Sequence, residues 1–391
     1  MHLDRGELEE AEREYARAVA LDPQDVAAQI GLAKLRYMCG DASFARDLVA
    51  AVAAHRSNGF LQVHFANMLR QIGDLAGAEV MLRDLIARQG PVPELQASLA
   101  AVLHSAGRLE EAVVEARAAA EARVDDSAVI LNFVAVLLSL GRADEAMPRI
   151  RAQRAKTPFH PSWIAYEATA ARLLDAPAYA ELYDYARLVR VYDLPAPRGW
   201  SSTAEFNTAL AADLAARHTL RQQPFDQTLR FGTQTMGDLA RDANPIMQTA
   251  LAAFDEAIAD YRASVGQAAD HPLTAQNVGT ARYVGCWSVR LRQNGFHVNH
   301  LHPEGWLSSA YYVAVPAESA DPAQQSGWLK FGEPALPVPG AGPAYSVKPQ
   351  PGRLVLFPSY MWHGTTAIRG TETRLTMAFD ITTNPRPPGR Q

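Results

Sequence analysis

Four residues near the C-terminus have the chemistry of a metal site with an anion grip beside it. His300 and His302 stand two apart in NHLHPEG, His363 ends the run LFPSYMWH, and Arg374 follows eleven residues later in TETRLTMAFDI. Neutral imidazole is a common ligand for transition metals. Residues two apart in an extended segment project to one face, so His300 and His302 can present to one ion while His363 closes the site from a second strand. No cysteine stands in either segment, which disfavours a structural zinc cage of the cysteine-rich kind. Open coordination positions suit an iron that must bind oxygen and an organic substrate. Alternation along TRLTMAFD places Leu375, Met377 and Phe379 on one face and Arg374, Thr376 and Ala378 on the other. A guanidinium turned into a barrel is costly unless paired. A carboxylate would accept two charge-assisted hydrogen bonds from it, and the Thr376 hydroxyl could add a third.

The elements that must position these side chains are short strands. From about Thr280 the segments ARYVGCWSVRLRQ, GWLSSAYYVAV, GWLKFG, GRLVLFP and TRLTMAFDI are rich in aromatic and β-branched residues and are separated by glycine and proline. That texture predicts an antiparallel sandwich or barrel, here a jelly roll. Two helices are expected before it. One is AEFNTALAADLAARH; the other, NPIMQTALAAFDEAIADYRASV, has Asn244 as N-cap and Pro245 at its first position. The proline- and glycine-rich stretch 334–351 is expected to line the mouth of the site.

The N-terminal half is built differently. Gly6, Gly40, Gly73, Gly107 and Gly141 recur every 33 or 34 residues, and five residues after each stands Ala11, Ala45, Ala78, Ala112 or Ala146. Pro23 and Pro158 take equivalent places at the ends of their repeats. Glycine at an interhelical turn adopts angles a side chain resists, the small alanine lets paired helices approach, and proline ends the second helix. The pattern resembles the tetratricopeptide repeat over roughly residues 1–172. Gly6 falls mid-repeat, so the first repeat is expected to lack most of its leading helix. Such arrays stack into curved surfaces that often hold peptides; the alternative is a scaffold or dimerisation arm. Residues 173–200, including YDLPAPRGW, are expected to form a capping helix and a linker, and 201–391 the second domain.

That domain resembles the iron(II)- and 2-oxoglutarate-dependent oxygenases with a double-stranded β-helix core. The resemblance is carried by His300-Leu301-His302-Pro303, Tyr311-Tyr312-Val313, Gly352 through Pro358, His363, and Arg374-Leu375-Thr376, in that order. It implies Fe(II), 2-oxoglutarate as co-substrate and O2. His300 and His363 match iron ligands; Arg374, Thr376 and Tyr312 match the binders of the distal carboxylate. One departure stands out: most of the superfamily has aspartate or glutamate where this chain has His302. Either iron takes three histidines or His302 is non-ligating. The chain is also similar to aspartyl/asparaginyl and prolyl hydroxylases, the former of which join tetratricopeptide repeats to an oxygenase domain. The resemblance therefore implies hydroxylation of a peptide or protein side chain docked by the repeats. A cupin-like three-histidine dioxygenase or isomerase that uses no 2-oxoglutarate, and a non-catalytic repeat-based binding protein, remain as alternatives. His297 competes with His300 as a ligand, and Glu304 could supply a cupin-type carboxylate across Pro303.

Composition narrows the partners. The 391 residues suffice for two or three domains, 48% are hydrophobic, and the formal charge of −5 argues against general nucleic-acid binding. Two cysteines, Cys39 and Cys286, imply no disulfide framework. With no signal peptide and no apolar run long enough to span a membrane, a cytoplasmic protein is expected, and a homodimer is compatible with the array.

Overall fold

The computed structural model describes residues 7–383. The first part is a solenoid of paired helices: α1 (Leu8–Leu21), α2 (Val26–Met38), α3 (Arg46–Ala54), α4 (Gly59–Gln71), α5 (Leu75–Gln89), α6 (Pro93–Ser105), α7 (Leu109–Ala122), α8 (Ser127–Ser139), α9 (Ala143–Lys156) and α10 (Pro161–Leu173). Gly40, Gly73, Gly107 and Gly141 each have φ between 72° and 89°, the left-handed conformation that closes the turn within each pair; Gly6 lies outside the described residues. Ala78, Ala112 and Ala146 are fully buried where the helices cross. Ala45 departs from the pattern. It caps α3 rather than lying inside it, because residues 42–45 form turns and shorten that helix to nine residues. Asp25, Asn58, Asp74 and Asp126 accept backbone N–H groups at helix starts, so local caps set the boundaries.

After two short helices, α11 (Ala178–Leu182) and α12 (Tyr185–Leu188), comes β1 (Arg190–Asp193), then α13 (Thr203–Arg217), β2 (Leu229–Gln234), α14 (Pro245–Val265) and α15 (Pro272–Ala275). The remaining strands are β3 (Arg282–His297), β4 (Leu307–Ala314), β5 (Leu329–Phe331), β6 (Tyr345–Val347), β7 (Arg353–Pro358), β8 (His363–Thr365) and β9 (Arg374–Thr382). They form two antiparallel sheets, ordered β1-β7-β4-β9-β3-β2 and β6-β5-β8. The expected jelly roll with flanking helices is present. Phe254 of α14 stacks on Phe379 of β9 at 5.2 Å, and the Tyr311 hydroxyl donates to Asn207 of α13 at 2.7 Å. Asn244 caps α14, with Pro245 at its first position.

Three expectations are corrected. Residues 190–193 are not linker: they pair with Arg353–Leu356 as an edge strand of the large sheet. A four-residue strand beside a proline-rich run carries too little pattern to be told from a loop. The 334–351 stretch does not line the central cavity; it holds β6, and Arg172 of α10 donates to the carbonyls of Gly332 and Gly342 in and beside this region. His300 and His302 lie in the connection between β3 and β4, not within a strand.

The solenoid and the sheets share one hydrophobic core. At the far end of the array, Trp362 donates from its indole to the Thr169 hydroxyl of α10 at 3.0 Å and packs on Tyr166. The Tyr183 hydroxyl donates to the Tyr360 carbonyl and accepts from the Trp362 amide. At the near end, Lys34 of α2 pairs with Asp226 at 2.6 Å, and Tyr37 meets Phe44 and Phe225 edge to face. The array therefore grips the second domain at both ends.

Candidate metal and co-substrate site

Backbone pairing brings the histidines together. His300 and His363 form an antiparallel bridge, with N–H···O distances of 2.8 and 3.0 Å in the two directions. The His302 amide donates to the Ser359 carbonyl at 3.0 Å. Gly364 permits this approach: a Cβ there would lie 2.5 Å from Asn299 Oδ1. The connection from β3 to β4 is thus held extended against the start of β8, and the expected common projection of His300 and His302 survives without a strand. The nitrogen donors of His300, His302 and His363 all lie within 4.8 Å of one another.

All three rings are oriented from behind. His300 Nδ1 bonds the Val298 carbonyl at 2.8 Å and His363 Nδ1 the Met361 carbonyl at 2.9 Å. His302 Nδ1 bonds Asp380 Oδ2 at 2.6 Å. With each Nδ1 carrying the proton, each Nε2 keeps its lone pair for a shared ion. Burial, with smaller contributions from neighbouring imidazoles, pushes the His300 pKa down to about 3 and that of His363 well below the usual value. Both are neutral at pH 7, as ligation requires. Trp287 stacks on His302 at 5.8 Å, and Phe357 packs edge-on to His363 at 4.7 Å. Three convergent imidazoles with rigid backing fit a divalent transition metal. His297 lines the same cavity but lies outside this donor group, and Glu304 is exposed on a turn.

Beside the histidines is a cavity of about 300 Å³, whose walls include Trp287, Tyr312, Arg374, Thr376 and Ala378. Strand β9 runs between β3 and β4, and its Leu375, Met377 and Phe379 face the core as the alternation predicts. Arg374 is only 3% exposed. Its Nη1 donates to the Gly327 carbonyl at 2.6 Å and its guanidinium lies 5.7 Å from the Tyr312 ring centre, yet its Nε is buried without an acceptor. The Tyr312 hydroxyl is likewise buried and unbonded. Thr376 directs its hydroxyl to the Val289 carbonyl at 3.4 Å, so the third bond expected from it is already directed at the backbone. Two buried donors lacking acceptors on one cavity wall fit the carboxylate of an organic acid, because leaving such groups unbonded costs about 1–3 kcal/mol each.

Asp380 carries no signal next to the histidines in the sequence. It continues the alternation Arg374, Thr376, Ala378, so the pattern that finds it lies one step further along the same strand. It is 8% exposed, and its second oxygen accepts from the Ser308 hydroxyl at 2.7 Å.

Comparisons with known proteins identify family matches in both parts of the chain. Residues 285–380 match the family described as "Putative 2OG-Fe(II) oxygenase", and residues 2–64 match a tetratricopeptide repeat. No curated protein sequence matches the chain. Among solved structures, a Pseudomonas putida prolyl-4-hydroxylase is 16% identical, with TM-score 0.36, over 53% of this chain and 98% of its own. A 2OG-Fe(II) oxygenase family oxidoreductase from Burkholderia pseudomallei is 14% identical, with TM-score 0.33, over 53% and 89%. A tetratricopeptide repeat protein from Parabacteroides merdae is 15% identical, with TM-score 0.39, over 47% and 75%. The chain joins tetratricopeptide repeats to a 2-oxoglutarate–iron(II) oxygenase domain. Among the described residues no helix is long and apolar enough to cross a membrane.

Proposed function

We propose that the protein is a 2-oxoglutarate-dependent hydroxylase of a peptide or protein side chain. Its docking array is residues 1–172, and its catalytic unit is residues 201–391 together with β1. The observation that carries this reading is the pairing of three convergent imidazoles with two buried, acceptor-less donors on one cavity. In this reading His300, His302 and His363 hold Fe(II) through Nε2. Arg374 and Tyr312 bind the distal carboxylate of 2-oxoglutarate, and Thr376 shapes the wall beside them. Bound iron would supply the oxidising chemistry: one substrate C–H becomes C–OH while 2-oxoglutarate and O2 give succinate and CO2. The chain's own part is to fix the co-substrate by one end, keep His300 and His363 neutral and shield the cavity with Trp287, Leu301 and Phe357.

The repeats support a macromolecular substrate. Helices α2, α4 and α8 contain no acidic residue. Lys34 touches Asp226, which lines the cavity, and further along the array the Nε of Arg70 is buried without an acceptor. The array thus reaches the cavity at Lys34, and its acid-free helices suit an extended peptide rich in acceptors.

The three-histidine set also keeps a cupin-like dioxygenase without 2-oxoglutarate in view. Oxygen-dependent release of succinate from 2-oxoglutarate by the iron-loaded protein separates the two. The hydroxylase reading expects succinate, formed slowly without substrate and lost in His363→Ala together with metal affinity. Oxygen consumption that is independent of 2-oxoglutarate and yields no succinate would overturn it.

A further inference from the structure

We propose that Asp380 replaces, from behind His302, the metal-binding carboxylate that this chain lacks. The inference rests on His302 being a ligand, as in the reading above, but concerns metal binding alone.

The three histidines are not equivalent. His300 and His363 donate to carbonyls two residues back in their own segments, which are neutral acceptors. His302 donates to a carboxylate from another strand at 2.6 Å. Among the described residues, no lysine or arginine forms an ion pair with Asp380. Its partners are His302 Nδ1 and the Ser308 hydroxyl. Ser308 in turn bonds Ser359 at 2.8 Å, and the Ser359 carbonyl holds the His302 backbone. The network fixes His302 by ring, backbone and stacked Trp287 together.

A short charge-assisted bond to a carboxylate draws the Nδ1 proton toward oxygen and makes Nε2 a stronger donor. Two neutral imidazoles plus a histidine–aspartate unit carry one negative charge. Two imidazoles plus a directly bound carboxylate carry the same charge. On this account the aspartate has moved outward by one imidazole, and the histidine transmits its charge. Asp380 is a positioning residue that acts through His302. Strand β9 then carries both controls of the cavity: Arg374 for the co-substrate and Asp380 for the metal.

The test is a double swap read by calorimetric Mn(II) affinity and by the ligand-field spectrum of the Co(II) protein. Asp380→Asn keeps an oxygen for the His302 N–H but removes the charge. It should weaken Mn(II) binding roughly 10- to 100-fold and shift the Co(II) bands. In a His302→Asp background the carboxylate itself would face the metal and no imidazole would link Asp380 to it, so adding Asp380→Asn should change Mn(II) affinity much less than it does in the wild type. Equal Mn(II) affinity and spectra for wild type and Asp380→Asn would overturn the proposal. So would a loss of the same size in both backgrounds, which is what a purely structural aspartate gives. Thermal unfolding of the metal-free variants checks that they fold, with Ser308→Ala as a milder probe expected to weaken binding less than Asp380→Asn. Binding of 2-oxoglutarate to the Mn(II) wild type, measured in parallel, reports separately on the hydroxylase reading.

Discussion

The two ends of the cavity are finished to different degrees. At the imidazole end every ring has its Nδ1 bonded within the protein, so only the three Nε2 atoms remain for a ligand. At the guanidinium end Arg374 Nε and the Tyr312 hydroxyl have no acceptor from the chain. On the proposed reading, the difference reflects what each end would recognise. An ion needs lone pairs held in a fixed geometry, which the protein completes in advance through hydrogen bonds behind the ligands. A carboxylate needs buried donors, and these are useful only if the protein leaves them unbonded, at a cost to its own stability. Stability should therefore be concentrated at the first end and lost at the second.

The largest expected effect concerns what backs the imidazole end. Trp362, next to His363, is anchored to α10 through Thr169 and Tyr166. Trp362→Ala should destabilise the protein by about 3–5 kcal/mol and weaken Mn(II) binding, measured by urea unfolding and calorimetry. A loss below about 1 kcal/mol, well under the usual range for a buried tryptophan, would show that the repeats do not brace the metal end. The same contact means that removing residues 1–172 would strip the support of His363.

At the guanidinium end the signs should oppose each other. Tyr312→Phe deletes an unbonded buried hydroxyl, so the melting temperature of the metal-free protein should hold or rise. Affinity for 2-oxoglutarate should fall by about 1.5–3 kcal/mol, roughly ten- to a hundredfold. If stability drops while 2-oxoglutarate affinity is unchanged, Tyr312 has a partner inside the protein and the contrast between the two ends fails.

The smallest effect is in pH. Burial lowers the His300 pKa to about 3 in the folded state, against about 6.5 when unfolded. The unfolded chain therefore binds more protons below pH ~6.5. Stability from this group is complete above that value and erodes as pH falls toward about 3, by at most about 1.4 kcal/mol per pH unit. His218, bonded to Thr233 and Ser288 and lowered to about 4 mainly by burial, adds to the slope. Unfolding of the metal-free protein between about pH 7.5 and 5 should show this decline, with a shallower slope in His300→Gln. A flat profile would mean that the imidazoles are not buried neutral.

Much of this arrangement is legible in the residues. The glycine period marks the helix pairs because only a left-handed turn closes them, and strict alternation puts Arg374 and Thr376 on the inner face. What escapes a local reading lies in long-range pairing. Strand β1 is four residues long and is recognisable only by its partner β7. The docking of Trp362 on Thr169 joins residues 193 positions apart, which no local pattern reports. The common projection of His300 and His302 holds for a different reason than the expected one: their extended course comes from the bridge to His363, not from a strand of their own. Asp380 obeys the same period as Arg374, but it reaches the histidines across the sheet, where sequence proximity gives no hint of it.

The central claim is that the unbonded donors of the cavity receive 2-oxoglutarate beside a metal held by histidines. Calorimetry of 2-oxoglutarate with the Mn(II)-loaded wild type, Arg374→Leu and Arg374→Lys tests it directly. Losing the fork should cost on the order of 2–5 kcal/mol in Arg374→Leu, with Arg374→Lys in between because it keeps charge without the bidentate geometry, and Mn(II) affinity equal in all three. Equal 2-oxoglutarate affinity across the three proteins, or no binding to the wild type, would contradict the account.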